Sequence, residues 1–250
     1  MTSKGFELRI ISDIHIDRHP FTLPELETDP DNVLIIAGDV SCDHQQIANF
    51  INPLAERFKA IIYTLGNHEN FFHVLGEAAA NLRSLMTYDN IHILDGEKVV
   101  IDDISFIGAT LWTDYDKQNP EVLEWAKRRG DYQKIKMSES QLVTPQDLLA
   151  QHLADKQRLL DLAKTDSNKK IVITHHSPTL HHVDIAKNPN HGCWHSDLES
   201  VIEEIDPIYW VYGHTHTQQE TLVGNSIVIC NPRGYPTEQT GFITDFTLKI

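Results

Sequence analysis

Ile61-Ile62-Tyr63-Thr64-Leu65-Gly66-Asn67-His68-Glu69 sets an apolar, β-branched run directly before a short polar cluster. Four other stretches are built the same way. Leu8–Ile11 leads to Asp13-Ile14-His15, and Val33–Ile36 leads to Gly38-Asp39. Further on, Ile171–Thr174 leads to His175-His176, and Ile208–Tyr212 to Gly213-His214-Thr215-His216. A parallel strand buried on both faces reads as a continuous apolar run, and open α/β sheets place their ligands at the C-terminal ends of such strands. The chain therefore reads as α/β, with five polar clusters collected at one edge of a sheet.

The 250 residues are long for one domain but within its range, and suffice to bury a sizeable core. No Gly/Ser-rich linker or internal repeat divides them, so one domain over 1–250 is expected. The chain is 40% hydrophobic without a long apolar span, and the start MTSKGFELRIISD lacks the basic-then-apolar pattern of a signal peptide. A soluble, cytoplasmic protein with no membrane contact is expected. Cys42, Cys193 and Cys230 are scattered with no CxxC, which argues against a disulfide framework and a cysteine zinc site. The balance of 21 basic against 36 acidic residues gives −15, which opposes binding of long nucleic acid. It leaves room for a small phosphate ester, because bound dications reverse the sign locally.

Strands are expected near 6–11, 33–37, 60–65, 91–94, 98–101, 104–109, 170–174, 208–212, 219–223, 226–230 and 242–249. Helices are expected near 44–58, 71–86, 120–129, 145–164 and 197–204. Thr144 before Pro145 reads as an N-cap and first-turn pair, with Asp147 favourable in the first turn. Residues 114–145 break the alternation: they are polar and charged, and carry Trp125, Arg128, Arg129 and Tyr132. Such an insert either hangs over the sheet edge as a substrate-selecting loop or is a solvated excursion.

The five clusters offer two aspartates, an amide oxygen and several imidazoles. That donor set suits borderline first-row dications better than magnesium or calcium, which prefer oxygen-only shells. Two such ions about 3.5–4 Å apart can clamp the attacking and leaving oxygens of an in-line displacement. The ligand shared between them should be a carboxylate, and Asp39 on its glycine-preceded turn is the candidate. Gly38, Gly66 and Gly213 each precede a ligand, where a tight turn off a strand would need unusual backbone angles. Singly, each motif has an ordinary explanation as a cap, a turn or a hydrogen-bonded loop histidine. Their order, each behind a strand, is what argues against accident.

The ordered set D-x-H, G-D, G-N-H-E, H and G-H-x-H resembles that of the calcineurin-like metallophosphoesterase superfamily, and the likeness spans residues 13–216. The resemblance implies two packed mixed β-sheets flanked by helices, a four-layer sandwich. It implies one ion on Asp13, His15, Asp39 and His216, and a second on Asp39, Asn67, His175 and His214. The ions would be divalent transition metals such as manganese, iron or zinc. His68 would be the catalytic group beside the phosphate, stabilising charge or protonating the leaving oxygen after a metal-bridging hydroxide attacks phosphorus. A carboxylate would orient it. Protein phosphatases carry G-D-x-x-D-R-G, whereas this chain has Gly38-Asp39-Val40-Ser41-Cys42-Asp43 with no Arg-Gly following. Phosphoprotein is therefore disfavoured as substrate, and Asp43 is a weak match for the orienting acid.

Three functions compete: hydrolysis of small phosphodiesters or monoesters, a nuclease or nucleotide pyrophosphatase with the same centre, and a non-catalytic scaffold retaining the fold. The complete ligand set with His68 argues against the third. Around the centre, His176 is expected at the rim or behind the ligands, and Trp112 in the core or as a lid. Arg233 would pair with phosphate or with a surface acid. One histidine among His181, His182, His191 and His195 is expected at the rim. The loop 177–196 and the insert 114–145 are expected to narrow access from opposite sides.

Overall fold

The computed structural model describes residues 6–250. Strands β1 (Glu7–Ile11), β2 (Val33–Ala37), β3 (Ala60–Thr64) and β4 (Ile91–Leu94) pair in parallel, in chain order. Helices α1 (His44–Leu54) and α2 (Ala78–Leu85) accompany them. The antiparallel pair β5 (Glu97–Ile101) and β6 (Ile104–Ala109) then opens a second sheet. The insert follows as three short turns, α3 (Tyr115–Gln118), α4 (Pro120–Ala126) and α5 (Asp131–Lys134), and a small hairpin, β7 (Lys136–Ser138) and β8 (Gln141–Leu142). Helix α6 (Pro145–Lys164) leads to β9 (Lys169–Thr174), and α7 (Glu199–Ile205) to β10 (Tyr209–Tyr212), β11 (Gln219–Val223) and β12 (Ser226–Cys230). Finally β13 (Thr247–Lys249) returns antiparallel to β1. The two sheets run β13-β1-β2-β3-β4 and β11-β12-β10-β9-β6-β5.

Successive side chains of a strand point to opposite faces, and here both faces are buried. In β2, Val33, Ile35 and Ala37 meet Ile171 and Ile173 of β9 and Val211 of β10 across the sheet interface. The alternate residues Leu34 and Ile36 meet Ile47 and Ile51 of α1 and Leu82 of α2. On the far side, Val172 and Trp210 pack with Leu159 of α6 and Ile202 of α7. The layers are therefore helix, sheet, sheet, helix, as the resemblance implies. The capping box at Thr144 and Asp147 is present, each side chain meeting the other's backbone N–H. No helix among the described residues is long and apolar enough to cross a membrane.

Several elements are shorter than the sequence pattern predicts, and backbone chemistry accounts for most of the difference. The helix expected at 71–86 begins only at Ala78, because Phe72 and Gly76 take left-handed φ values of 70° and 88°. The helix at 44–58 stops at Leu54, where the Ala55 N–H turns back to the Asn52 carbonyl three residues away and Pro53, in the last turn, has no N–H to give. The strand at 242–249 keeps only its last three residues, since Gly241 is left-handed at 82° and the Thr244 carbonyl accepts from Arg9 Nη2 at 2.9 Å. The insert is no solvated excursion. Trp112, Tyr115, Val122, Ala126 and Ile135 form a buried cluster with Phe71, Leu148 and Cys193.

Candidate metal centre

The loops leaving β1, β2, β3, β9 and β10 converge, as parallel strands with buried faces require, and bring the candidate ligands together. Asp13, His15, Asp39, Asn67, His175 and His214 are buried, and His216 is half-buried. Five of them sit in left-handed backbone: Asp13 (φ 52°), His15 (45°), Asp39 (57°), His214 (66°) and His216 (49°). Non-glycine residues adopt that region rarely, and such strain concentrates at functional sites.

Asp39 faces two ways. Its Oδ1 lies 3.4 Å from His175 Nε2, and its Oδ2 lies 3.8 Å from both His15 Nε2 and His68 Nε2. On the first side His175 Nε2 is also 3.1 Å from Asn67 Oδ1 and 3.1 Å from His214 Nδ1. On the second, His216 Nε2 is 3.3 Å from Asp13 Oδ1 and 3.2 Å from His15 Nε2. Ligand atoms about 2.1 Å from one ion at tetrahedral or cis-octahedral angles stand roughly 3–3.4 Å apart, so most of these spacings suit two cations sharing Asp39. Groups behind the ligands fix them: Ala37 O accepts from His175 Nδ1 at 2.9 Å, and Glu238 Oε2 from His216 Nδ1 at 2.6 Å.

The electrostatics agree. Burial alone would depress the His175 and His216 pKa values. Asp39 overrides it for His175, raising it to about 10, and Asp13 with Glu238 raises His216 to about 9. The buried Asp13 and Asp39, with the exposed Glu238, thus hold positive charge where the ligand atoms converge. Three further ring nitrogens, His15 Nδ1, His68 Nδ1 and His214 Nε2, are buried without a hydrogen-bond partner.

A calcineurin-like phosphoesterase family model matches residues 7–218. The chain belongs to that family. It is similar to an uncharacterized protein of Acanthamoeba polyphaga mimivirus, 25% identical over 265 residues that cover 94% of this chain and 93% of the relative. A UPF0046 protein of Caenorhabditis elegans is 26% identical over 235 residues, covering 88% of this chain and 67% of its own. Among solved structures, the phosphopantetheinyl hydrolase PptH of Mycobacterium tuberculosis has the same fold, with a TM-score of 0.77 at 18% identity over 98% of this chain and 96% of its own.

Within this calcineurin-like centre, His68 keeps company different from that expected. Its Nδ1 has no carboxylate partner, and its Nε2 lies 3.3 Å from the Tyr235 hydroxyl. The ring is held by Phe71 and His15, with centroids 4.4 and 4.6 Å away, and by its own N–H, which donates to Asp39 Oδ1 at 2.9 Å. Asp43 is not its orienter: its carboxylate caps α1, accepting from the N–H groups of Gln45 and Gln46. The acid that organises the centre is Glu69. It accepts from Asp39 N–H (3.0 Å) and Gly66 N–H (2.7 Å) through Oε2, and from Val40 N–H (2.7 Å) and Tyr63 O–H (2.7 Å) through Oε1. The signal for it stood in the Gly66-Asn67-His68-Glu69 cluster itself.

Three substrate candidates are placed elsewhere. Arg233 gives its guanidinium to the carbonyls of Ile14, His19 and Pro20, at 2.7–3.0 Å, and covers the Phe21 ring. It fastens the loop after β1 instead of waiting for phosphate. Trp112 is buried in the insert's cluster, and His176 lies between it and His214, with centroids 5.3 and 4.2 Å away. Both stand behind the ligands, not at a rim. The insert and the loop 177–196 touch each other: His191 lies 3.7 Å from Asp116, and Lys117 pairs at 2.9 Å with Asp197, just past the loop. The glycine argument needs amending too. Only Gly38 is left-handed, at 84°, whereas a Cβ on Gly66 would collide with the Asp39 carboxylate.

Proposed function

We propose that the protein hydrolyses small phosphate esters, phosphodiesters or monoesters, with two divalent transition-metal ions bound by Asp13, His15, Asp39 and His216 on one side and Asp39, Asn67, His175 and His214 on the other. The observation that carries this reading is the two-sided carboxylate of Asp39, whose oxygens serve separate imidazole groups. When bound, such ions supply Lewis acidity toward a phosphoryl oxygen and toward the attacking water. The chain's own residues do the rest. His68 Nε2 faces the cleft within reach of a leaving oxygen, and the Tyr235 hydroxyl beside it can pass or hold a proton. The cleft has a volume of about 250 Å³, which favours a small ester over a polymer, as does the charge of −15.

The test uses protein loaded with manganese. Metal analysis should return about two ions per chain, and bis(p-nitrophenyl) phosphate should be turned over, with phosphopeptides and duplex DNA left largely intact. Asp39→Ala should lose or scramble both ions and abolish turnover. Full metal content and activity in that variant would remove the shared-ligand assignment. Phosphopeptide turnover without diester turnover would overturn the substrate class, and turnover of no ester at all would favour the scaffold.

A further inference from the structure

The insert contributes a cation to the cleft. Arg129 lines it together with Asp39, Asn67 and His214, and among the described residues it is the one Lys or Arg that does so. Its guanidinium lies over the Trp194 ring at 4.5 Å, so the insert and the loop 177–196 meet through this pair. Arg129 Nε is buried without a hydrogen-bond partner, its nearest charge being Asp131 Oδ2 at 3.5 Å. Asp131 Oδ1 meanwhile accepts from Asn67 Nδ2 at 2.7 Å, which turns the Asn67 oxygen toward His175. One carboxylate therefore links the centre to the arginine.

A guanidinium beside a pocket suited to two dications is electrostatically unfavourable unless an anion lies between them. Its planar fork, packed over an indole, matches the oxygens of a phosphoryl group. We propose that Arg129 binds the phosphoryl group of the substrate, with Trp194 and Asp131 holding its guanidinium in place. This rests on the two-ion reading above. It assigns to the insert the phosphate contact that Arg233, tied to three carbonyls, does not make.

The experiment measures inorganic phosphate binding by calorimetry to protein preloaded with manganese and freed of excess metal. It compares the parent with Arg129→Ala and Arg129→Lys. Charge-assisted hydrogen bonds of this kind make about a tenfold to hundredfold weakening in Arg129→Ala the expected result. Arg129→Lys, which keeps the charge but not the fork, should lose less. Metal content should stay at the parent's value in both, and KM for p-nitrophenyl phosphate should rise more than kcat falls. Phosphate affinity in Arg129→Ala within twofold of the parent would overturn the assignment. So would metal loss in both variants, which would mark Arg129 as a support of the centre. If metal analysis of the parent returns fewer than about two ions, the two-ion reading fails and this assignment with it; a parent that holds both ions yet binds no phosphate would overturn this assignment alone.

Discussion

His68 holds its place in the cleft without the carboxylate that usually steadies a catalytic imidazole. Its backbone N–H is tied to Asp39, its ring lies against Phe71 and His15, and Tyr235 faces its Nε2. Burial, and then the Asp39 charge, push the Tyr235 pKa up. Removing the ring should therefore leave the candidate ligands in position while taking away the proposed proton donor. His68→Ala is expected to retain both ions and to lose roughly 10²–10⁴ in kcat, the usual range for a general acid or base. Metal content that falls as far as in His214→Ala would instead make His68 a ligand.

At the level of elements, the loops after β2 and β3 are joined by one side chain. Glu69 accepts three backbone N–H groups and the Tyr63 hydroxyl, all buried. Glu69→Gln puts an amide N–H where an acceptor is required and leaves buried donors unmatched. A loss of roughly 2–4 kcal/mol in urea unfolding, with reduced metal content, is expected; a variant as stable as the parent would contradict this role. On α6, burial pushes the Asp155 pKa up to about 7, although Gln151 Nε2 and Leu111 N–H both donate to it. A carboxyl with a folded pKa above its unfolded value near 3.8 leaves the native state holding more protons, so stability falls as pH rises from about 4 to about 7. Asp155→Asn should remove that slope, and its unfolding midpoint relative to the parent should improve between pH 5 and pH 8. A constant difference would show that the carboxyl stays ionised. The strands were legible because a buried parallel strand has no polar face to obscure its run. Helix limits were not, because Phe72 and Gly76 break α2's approach through φ, which hydrophobic spacing does not report.

Over the whole molecule, the candidate ligands could be grouped from the sequence because each cluster follows its own strand, and the topology gathers strand ends without further instruction. Their supports could not. Asp131 reaches Asn67 from 64 residues away, and Glu238 reaches His216 from 22, each through a fold that brings distant loops together. The insert 114–145 shows the same limit: its charged composition reads as surface, yet Tyr115, Val122, Ala126 and Ile135 are buried in it. Sequence alone predicts that replacing 116–140 with a Gly/Ser linker, if the fold tolerates it, would broaden or weaken substrate selection while the metal centre survives. The observed packing predicts otherwise. Excision uncovers Phe71 and Leu148 and frees the Asn67 amide to rotate, so the ion proposed for Asp39, Asn67, His175 and His214 should bind more weakly. Metal analysis is expected to fall from about two ions per chain toward about one, with a lower thermal midpoint, while the side held by Asp13, His15 and His216 keeps its ion. Two ions and an unchanged midpoint in the excised protein would return the insert to the surface.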